Sequence, residues 1–165
     1  AEAERVGHGS ADFDIQQRIR KYIVDTGNSD LKDPKSFGSV YYNSGLVNAA
    51  IAVEAIRAGQ KKFGNRPLTG EEGRWGLEHL DLGDARLKEI GFLGLMQPLK
   101  LSCSDHEGGG AAKVQQWDGQ KWTLVTDWVQ ADRATLRPLI DAKAGEFARE
   151  KGVTPRECAK DEATP

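Results

Sequence analysis

Hydrophobic residues recur at helical spacing near the start of the chain. Ile15, Ile19 and Ile23 predict a first amphipathic helix, with Asp12 as its N-cap and Gly27 as its stop signal. The segment after it, residues 28–38, is rich in Asp, Ser and Lys and contains a proline, which predicts a surface loop.

Residues 41–59 predict a long helix that is apolar almost all round. Such a helix is normally buried on several sides, and a chain of 165 residues has little other material with which to bury it. The pattern therefore predicts that something outside this chain covers the helix, either a second copy or the rest of a longer protein.

Two short helices follow this long one. Thr69 and Glu72 have the spacing of a capping box, in which each side chain satisfies the other residue's backbone amide. A second amphipathic turn over residues 84–90 ends at Gly91. The sequence therefore predicts an N-terminal cap for the first of these helices and a C-terminal end for the second.

The spacing of hydrophobic residues changes in the last third of the chain. Residues 111–117 and 122–128 flank the dipeptide Asp118-Gly119, which predicts an antiparallel hairpin. A last helix follows, with Pro138 in its first turn and Gly152 as its C-terminal cap. Helices combined with this hairpin predict an α/β fold.

Composition narrows the function classes. The chain has 23 basic and 25 acidic residues, spread evenly for a net charge of -2, which argues against nucleic acid as a partner. No apolar run approaches the ~20 residues that cross a bilayer. The sequence begins without Met, as a processed or cut chain would, and no cofactor motif is present.

The most reactive side chains fall in one loop. Asp105, His106 and Glu107 precede three glycines, and their donor atoms suit a divalent cation in a metal-dependent hydrolase. Cys103 and His106 also have the types of a nucleophile and its base. The alternative is a tight loop in which Asp105 caps backbone amides and the glycines permit a reversal.

A second group with polar chemistry stands just before the long helix. Tyr41, Tyr42 and Asn43 place two phenols and an amide together, which suits the lining of a polar pocket. The alternative is ordinary amphipathic packing at the end of an element. The sequence leaves both interpretations open.

The order of several motifs resembles a known family. The chain resembles the C-terminal portion of a branched-chain amino acid type (Leu/Ile/Val-binding) ABC transporter substrate-binding protein, from about Asp12 to Cys158. The motifs that carry the resemblance are SVYYNSGLVNA at 39–49, VEAIR at 53–57, PLTGE at 67–71, RWGLE at 74–78, CSDHEGGG at 103–110, VQQWDG at 114–119 and GVTPREC at 152–158.

This resemblance implies a specific architecture and role. It implies a fragment of a two-lobed, type 1 periplasmic binding protein, with residues 1–95 in the first lobe, 96–158 in the second lobe and 159–165 as a frayed tail. The implied function is non-enzymatic: a periplasmic component, with its signal peptide removed, binds an amino acid or small carboxylate and presents it to a membrane ABC permease. Tyr41, Tyr42 and Asn43 would contact the ligand.

The two cysteines gain a role under this resemblance. Cys103 ends a predicted strand and Cys158 follows the last helix, so that folding the helix back onto the hairpin brings them together. An export compartment would allow the bond to persist. We therefore expect a Cys103–Cys158 disulfide and no metal site.

Overall fold

The computed structural model describes residues 12–120 and 122–159, and within them the chain is a mixture of helices and short antiparallel strands. The elements in chain order are α1 (Asp14–Ile19), α2 (Val40–Phe63), α3 (Gly70–Glu78), β1 (Asp81–Leu82), α4 (Asp84–Ile90), β2 (Leu99–Lys100), β3 (Gln115–Trp117), β4 (Trp122–Leu124) and α5 (Arg133–Lys151). The predicted combination of helices with a C-terminal hairpin and last helix is confirmed at this level.

The first helix starts one residue later than predicted. Phe13, not Asp12, is the N-cap residue, and its backbone amide donates to the Gln16 side chain at 3.1 Å. A π-helical turn at Arg20–Val24 continues α1, and the chain leaves it at Gly27 with φ 75°. The predicted stop at Gly27 is therefore correct. The capping hydrogen bond comes from Gln16, within the first turn of α1, and not from Asp12.

α2 is longer than predicted and packs on one side. The Ser39 hydroxyl accepts a hydrogen bond from the Tyr42 amide at 3.2 Å, which fixes the start of the helix. One face lies on the core, whereas Val53 and Ile56 remain 51% and 48% exposed. The face with these two side chains has no partner in the part of the chain that the structure describes.

α3 lies close against α2. The predicted capping box is present: Thr69 accepts from the Glu72 amide at 3.3 Å, and Glu72 accepts from the Thr69 amide at 2.9 Å. At the crossing point, a Cβ on Gly76 would lie 2.1 Å from the carbonyl oxygen of Ala55. Glycine is required there because two helix backbones touch.

The core lies beneath these helices. Leu80, Leu82, Leu87 and Phe92 form its buried centre. β1 and β2 pair antiparallel, with Leu82 opposite Leu99, and so close one side of it. We call residues 12–101 the N-terminal region. The predicted lobe boundary at 95/96 falls between these two paired strands, and the division into lobes stays a prediction.

The remaining described residues, 102–120 and 122–159, form the C-terminal region. β3 and β4 pair antiparallel around a turn in which Gly119 has φ 103°, as the Asp-Gly signal predicts. α5 begins at Arg133 because the Asp132 side chain accepts from the Thr135 amide at 3.2 Å. Pro138 therefore lies inside α5 and not in its first turn, which corrects that prediction.

Gly152 caps α5 in the left-handed conformation with φ 64°, as predicted. The predicted frayed tail lies outside the described residues except for residue 159, and residues 1–11 lie outside them as well.

Candidate functional site

Both ends of α5 are fastened to one loop, residues 102–110, which we call the anchor loop. At the N-terminal end, the Arg133 guanidinium contacts the Asp105 carboxylate and the carbonyl oxygen of Gly108. Beyond the C-terminal end, Cys158 is joined to Cys103 by a disulfide with a Cα–Cα distance of 5.3 Å. The pair of cysteines expected from the sequence is the pair joined in the structure.

Backbone contacts hold the anchor loop in its shape. Asp105 Oδ1 accepts from the amides of Glu107 and Gly108 at 3.1 Å and 3.3 Å. The Ser102 and Asp105 backbones also exchange hydrogen bonds. One Asp105 oxygen thus caps the chain reversal and the other binds Arg133. This is the tight-loop alternative to a metal site or a catalytic loop.

Glu78 joins the anchor loop to the segment that follows α5. It is the last residue of α3, and its side chain is only 5% exposed. Arg156 donates to both of its oxygens, at 2.6 Å and 3.1 Å, and His106 Nε2 lies 3.2 Å from Oε1. The hydrogen bond from Arg156 lowers the pKa of Glu78 below its ordinary 4.5, against the opposing effect of burial. Glu78 therefore stays ionised at neutral pH.

A pocket of about 490 Å³ opens beside this cluster. Trp75 forms its aromatic wall: its ring stacks on His79 at 3.9 Å and meets the edge of Phe63 at 5.3 Å. Its lining residues combine rings with charges of both signs: Lys62, Phe63, Thr69, Glu71, Glu72, Arg74, Trp75, Glu78, His79 and Arg156. The volume falls in the range of small-molecule sites.

The predicted ligand-binding residues lie elsewhere, in the first turn of α2. Tyr41 is 91% exposed. Tyr42 packs on Phe37 at 5.0 Å, and burial raises the pKa of its phenol. Asn43 is buried: its amide donates to the Gly38 carbonyl at 3.1 Å and its oxygen accepts from Gln16. Ligand binding by these three residues stays a prediction.

A metal centre finds no support in residues 12–120 and 122–159, which hold no cluster of three or more His, Cys, Asp or Glu side chains fit for an ion. Asp105 and His106 are adjacent in sequence, yet they face different partners, Arg133 and Glu78. The Cys103 sulfur is part of the disulfide, so it is no free nucleophile. The metal-dependent hydrolase alternative is therefore not supported.

Sequence reasoning missed the Glu78–Arg156 pair and the pocket next to it. The two residues are 78 positions apart, and neither stands in a motif with chemistry of its own. One signal was available: Arg156 is two residues from Cys158, so the expected disulfide already placed it near the anchor loop.

Comparison with known proteins gives one informative match. No protein-family profile and no curated protein matches the chain. A solved structure described as an ABC transporter permease from the Pseudomonas fluorescens group is 71% identical over 91% of this chain, with a TM-score of 0.84. The chain spans about a third of that protein, 36% of its length.

This match overturns several expectations. The recognition as a substrate-binding protein, the function as a solute-binding component and the periplasmic location are wrong, because the solved protein of 71% identity is described as a permease. The setting of an ABC transporter is supported. None of the helices in the described part of the chain is both long and apolar enough to cross a membrane.

Proposed function

We propose that this chain is part of an ABC transporter component of the permease type and serves there as a non-catalytic module. The observation that carries the proposal is the 71% identity, over 91% of the chain and at a TM-score of 0.84, to a protein described as an ABC transporter permease. Identity at this level extends the likeness beyond the fold to the side chains. Its partners are then the other components of the same transporter.

The roles of the charged residues support a module without catalysis. Asp105 holds Arg133 at the start of α5, and Glu78 holds Arg156 beyond the end of that helix. Such pairs fix one segment on another, and two carboxylates that line the Trp75 pocket, Glu78 and Glu72, are each held by an arginine, which disfavours them as general bases. The two-lobed arrangement of a parent protein stays a proposal on which this function does not depend.

Gene deletion tests the proposed function directly. The gene that encodes the chain is removed from its host, and ATP-dependent uptake is measured for a panel of radiolabelled amino acids, peptides, sugars and ions. We expect uptake of at least one solute to be lost and to return with the wild-type gene. A tagged protein should also co-purify with an ABC-type ATPase.

The opposite result is equally clear. Unchanged uptake across the panel, together with no ATPase in the purified material, contradicts a role in an ABC transporter. A host that expresses the chain from a plasmid in the deletion background is the matched control, because it separates loss of the protein from damage to neighbouring genes.

A further inference from the structure

The outer side of α2 and α3 carries an apolar surface. The two helices form a groove of about 530 Å³ that is lined almost entirely by apolar atoms. Its walls include Ala52, Ile56 and Leu77, with Gly70 and Gly73 along the α3 side. Arg74 is the one charged side chain of this lining.

Two glycines of α3 leave the groove open. A Cβ built on Gly70 or Gly73 meets no atom within 4 Å, whereas a Cβ on Gly76 strikes the α2 backbone. The inner side of α3 is therefore packed tightly while its outer side has no neighbour among the described residues. The groove is room left beside the helix and not a defect in the contact between α2 and α3.

Apolar surface continues beyond the groove. Ile56 and Leu77 in the groove walls are 48% and 40% exposed, and Val53, outside the groove on α2, is 51% exposed. Arg74 is exposed at the edge of this surface, and its charge already helps to lower the pKa of the Glu78 carboxyl. A contiguous apolar patch bordered by a charge is typical of a surface that another polypeptide covers.

We propose that this groove is an interface for further polypeptide of the same transporter protein, which lays an apolar layer across α2 and α3. The length of the 71%-identical protein carries the choice of occupant, because almost two thirds of that chain lies outside the match while the matched fold is retained. The inference does not depend on the transported solute.

Thiol labelling tests which state of the protein covers the groove. The described residues contain no free cysteine, so an introduced one reports alone. Ala52→Cys places a thiol in the groove, and Lys61→Cys places the matched control on the opposite face of α2, half a helical turn away. Both variants are made in this chain and at the aligned positions of the longer protein.

The expected result is a difference between the two proteins. In this chain both thiols should react with maleimide at rates within about threefold of one another, and in the longer protein the groove thiol should react at least about tenfold more slowly than the control, a factor equivalent to 1.4 kcal/mol of opening. Equal rates in the longer protein overturn the proposal. If protection of the groove thiol in this chain instead increases with protein concentration, a second copy covers the groove and the proposed occupant is wrong.

Filling the groove gives an independent readout. Gly73→Leu adds a side chain to open space, so the urea midpoint of this chain should rise or stay unchanged. The same change in the longer protein should lower the midpoint, because the added side chain displaces the covering layer. Gly73→Ala is the smaller control and should be tolerated in both. A midpoint that responds in the same direction in both proteins contradicts the interface.

Discussion

The N-terminal region and the C-terminal region keep their shapes by different means. In the N-terminal region, Leu80, Leu82, Leu87 and Phe92 form a contiguous buried centre to which a further ring of partly buried side chains adds. In the C-terminal region, leaving aside the side chains of residues 115 and 121–124, the buried hydrophobic residues are Cys103 and Ala148. There, a disulfide and ion pairs fasten α5 and the segment after it.

This difference predicts how each region loses stability when a residue is changed. Apolar burial is distributed, so the N-terminal region should lose stability in proportion to the volume removed from its centre. The C-terminal region depends on a few single contacts, Cys103–Cys158, Arg133–Asp105 and Arg156–Glu78, and each holds an end of α5 or the chain after it. Loss of one should release a whole segment.

Removal of the disulfide should have the largest effect on stability. The cysteines are 55 positions apart, and a loop of that length stabilises a fold by about 4 kcal/mol in the chain-entropy model. Hydrogen exchange of a Cys103→Ser/Cys158→Ser variant is the measurement. Amides of α5 should lose protection while those of α4 keep theirs. Equal loss in both helices would show that the two regions unfold as one unit.

Truncation at the centre of the core should come next. Leu87 is fully buried, and Leu87→Ala should lower the free energy of unfolding by about 3 kcal/mol through lost burial and a cavity. Leu139→Ala in α5 is the matched control, because that side chain is 60% exposed and should cost less than about 0.5 kcal/mol. Urea denaturation measures both. Similar costs for the two leucines would contradict the contrast between the regions.

A pair of glycines separates packing from helix propensity in α3. Gly76→Ala should destabilise the N-terminal region by about 2 kcal/mol, since its Cβ would force α2 and α3 apart. Gly73→Ala should instead stabilise it by about 0.5 kcal/mol, because that site is open and alanine is the better helix former. Thermal unfolding of the two variants, followed by circular dichroism, gives the sign of each change.

The smallest of these effects concerns Glu78. Arg156→Gln leaves a nearly buried carboxylate without its main partner, at a cost of about 1–2 kcal/mol at pH 7. Because the pKa of Glu78 is lower in the folded state, its stabilisation is present above the ordinary glutamate pKa of 4.5 and is lost as the pH falls through the lowered value.

Urea midpoints from pH 7 to pH 3 measure this contribution. The wild-type protein should approach the Arg156→Gln variant as the pH falls through that window. A constant gap between the two would show that the stability of the wild-type protein does not depend on ionised Glu78.

Much of the local structure could be predicted because its signals lie within a few residues. The Thr69–Glu72 capping box, the Gly152 cap and the Asp118-Gly119 turn all agree with the structure. Pro138 misled the prediction of the last helix, since the stronger cap at Asp132 begins it earlier. The candidate site was predictable only in part, because its contacts join distant segments.

The sequence by itself determined the Thr69–Glu72 capping box, the Gly152 cap, the Asp118-Gly119 turn and the apolar nature of α2. Each depends on nearest neighbours or on residue chemistry, and so survives without knowledge of the fold. Only the tertiary structure decided that the anchor loop holds α5 and not a metal ion, that Glu78 meets Arg156, and which face of α2 stays open. These contacts depend on which segments, distant in the sequence, come within hydrogen-bonding distance of one another. A local sequence pattern does not contain that information.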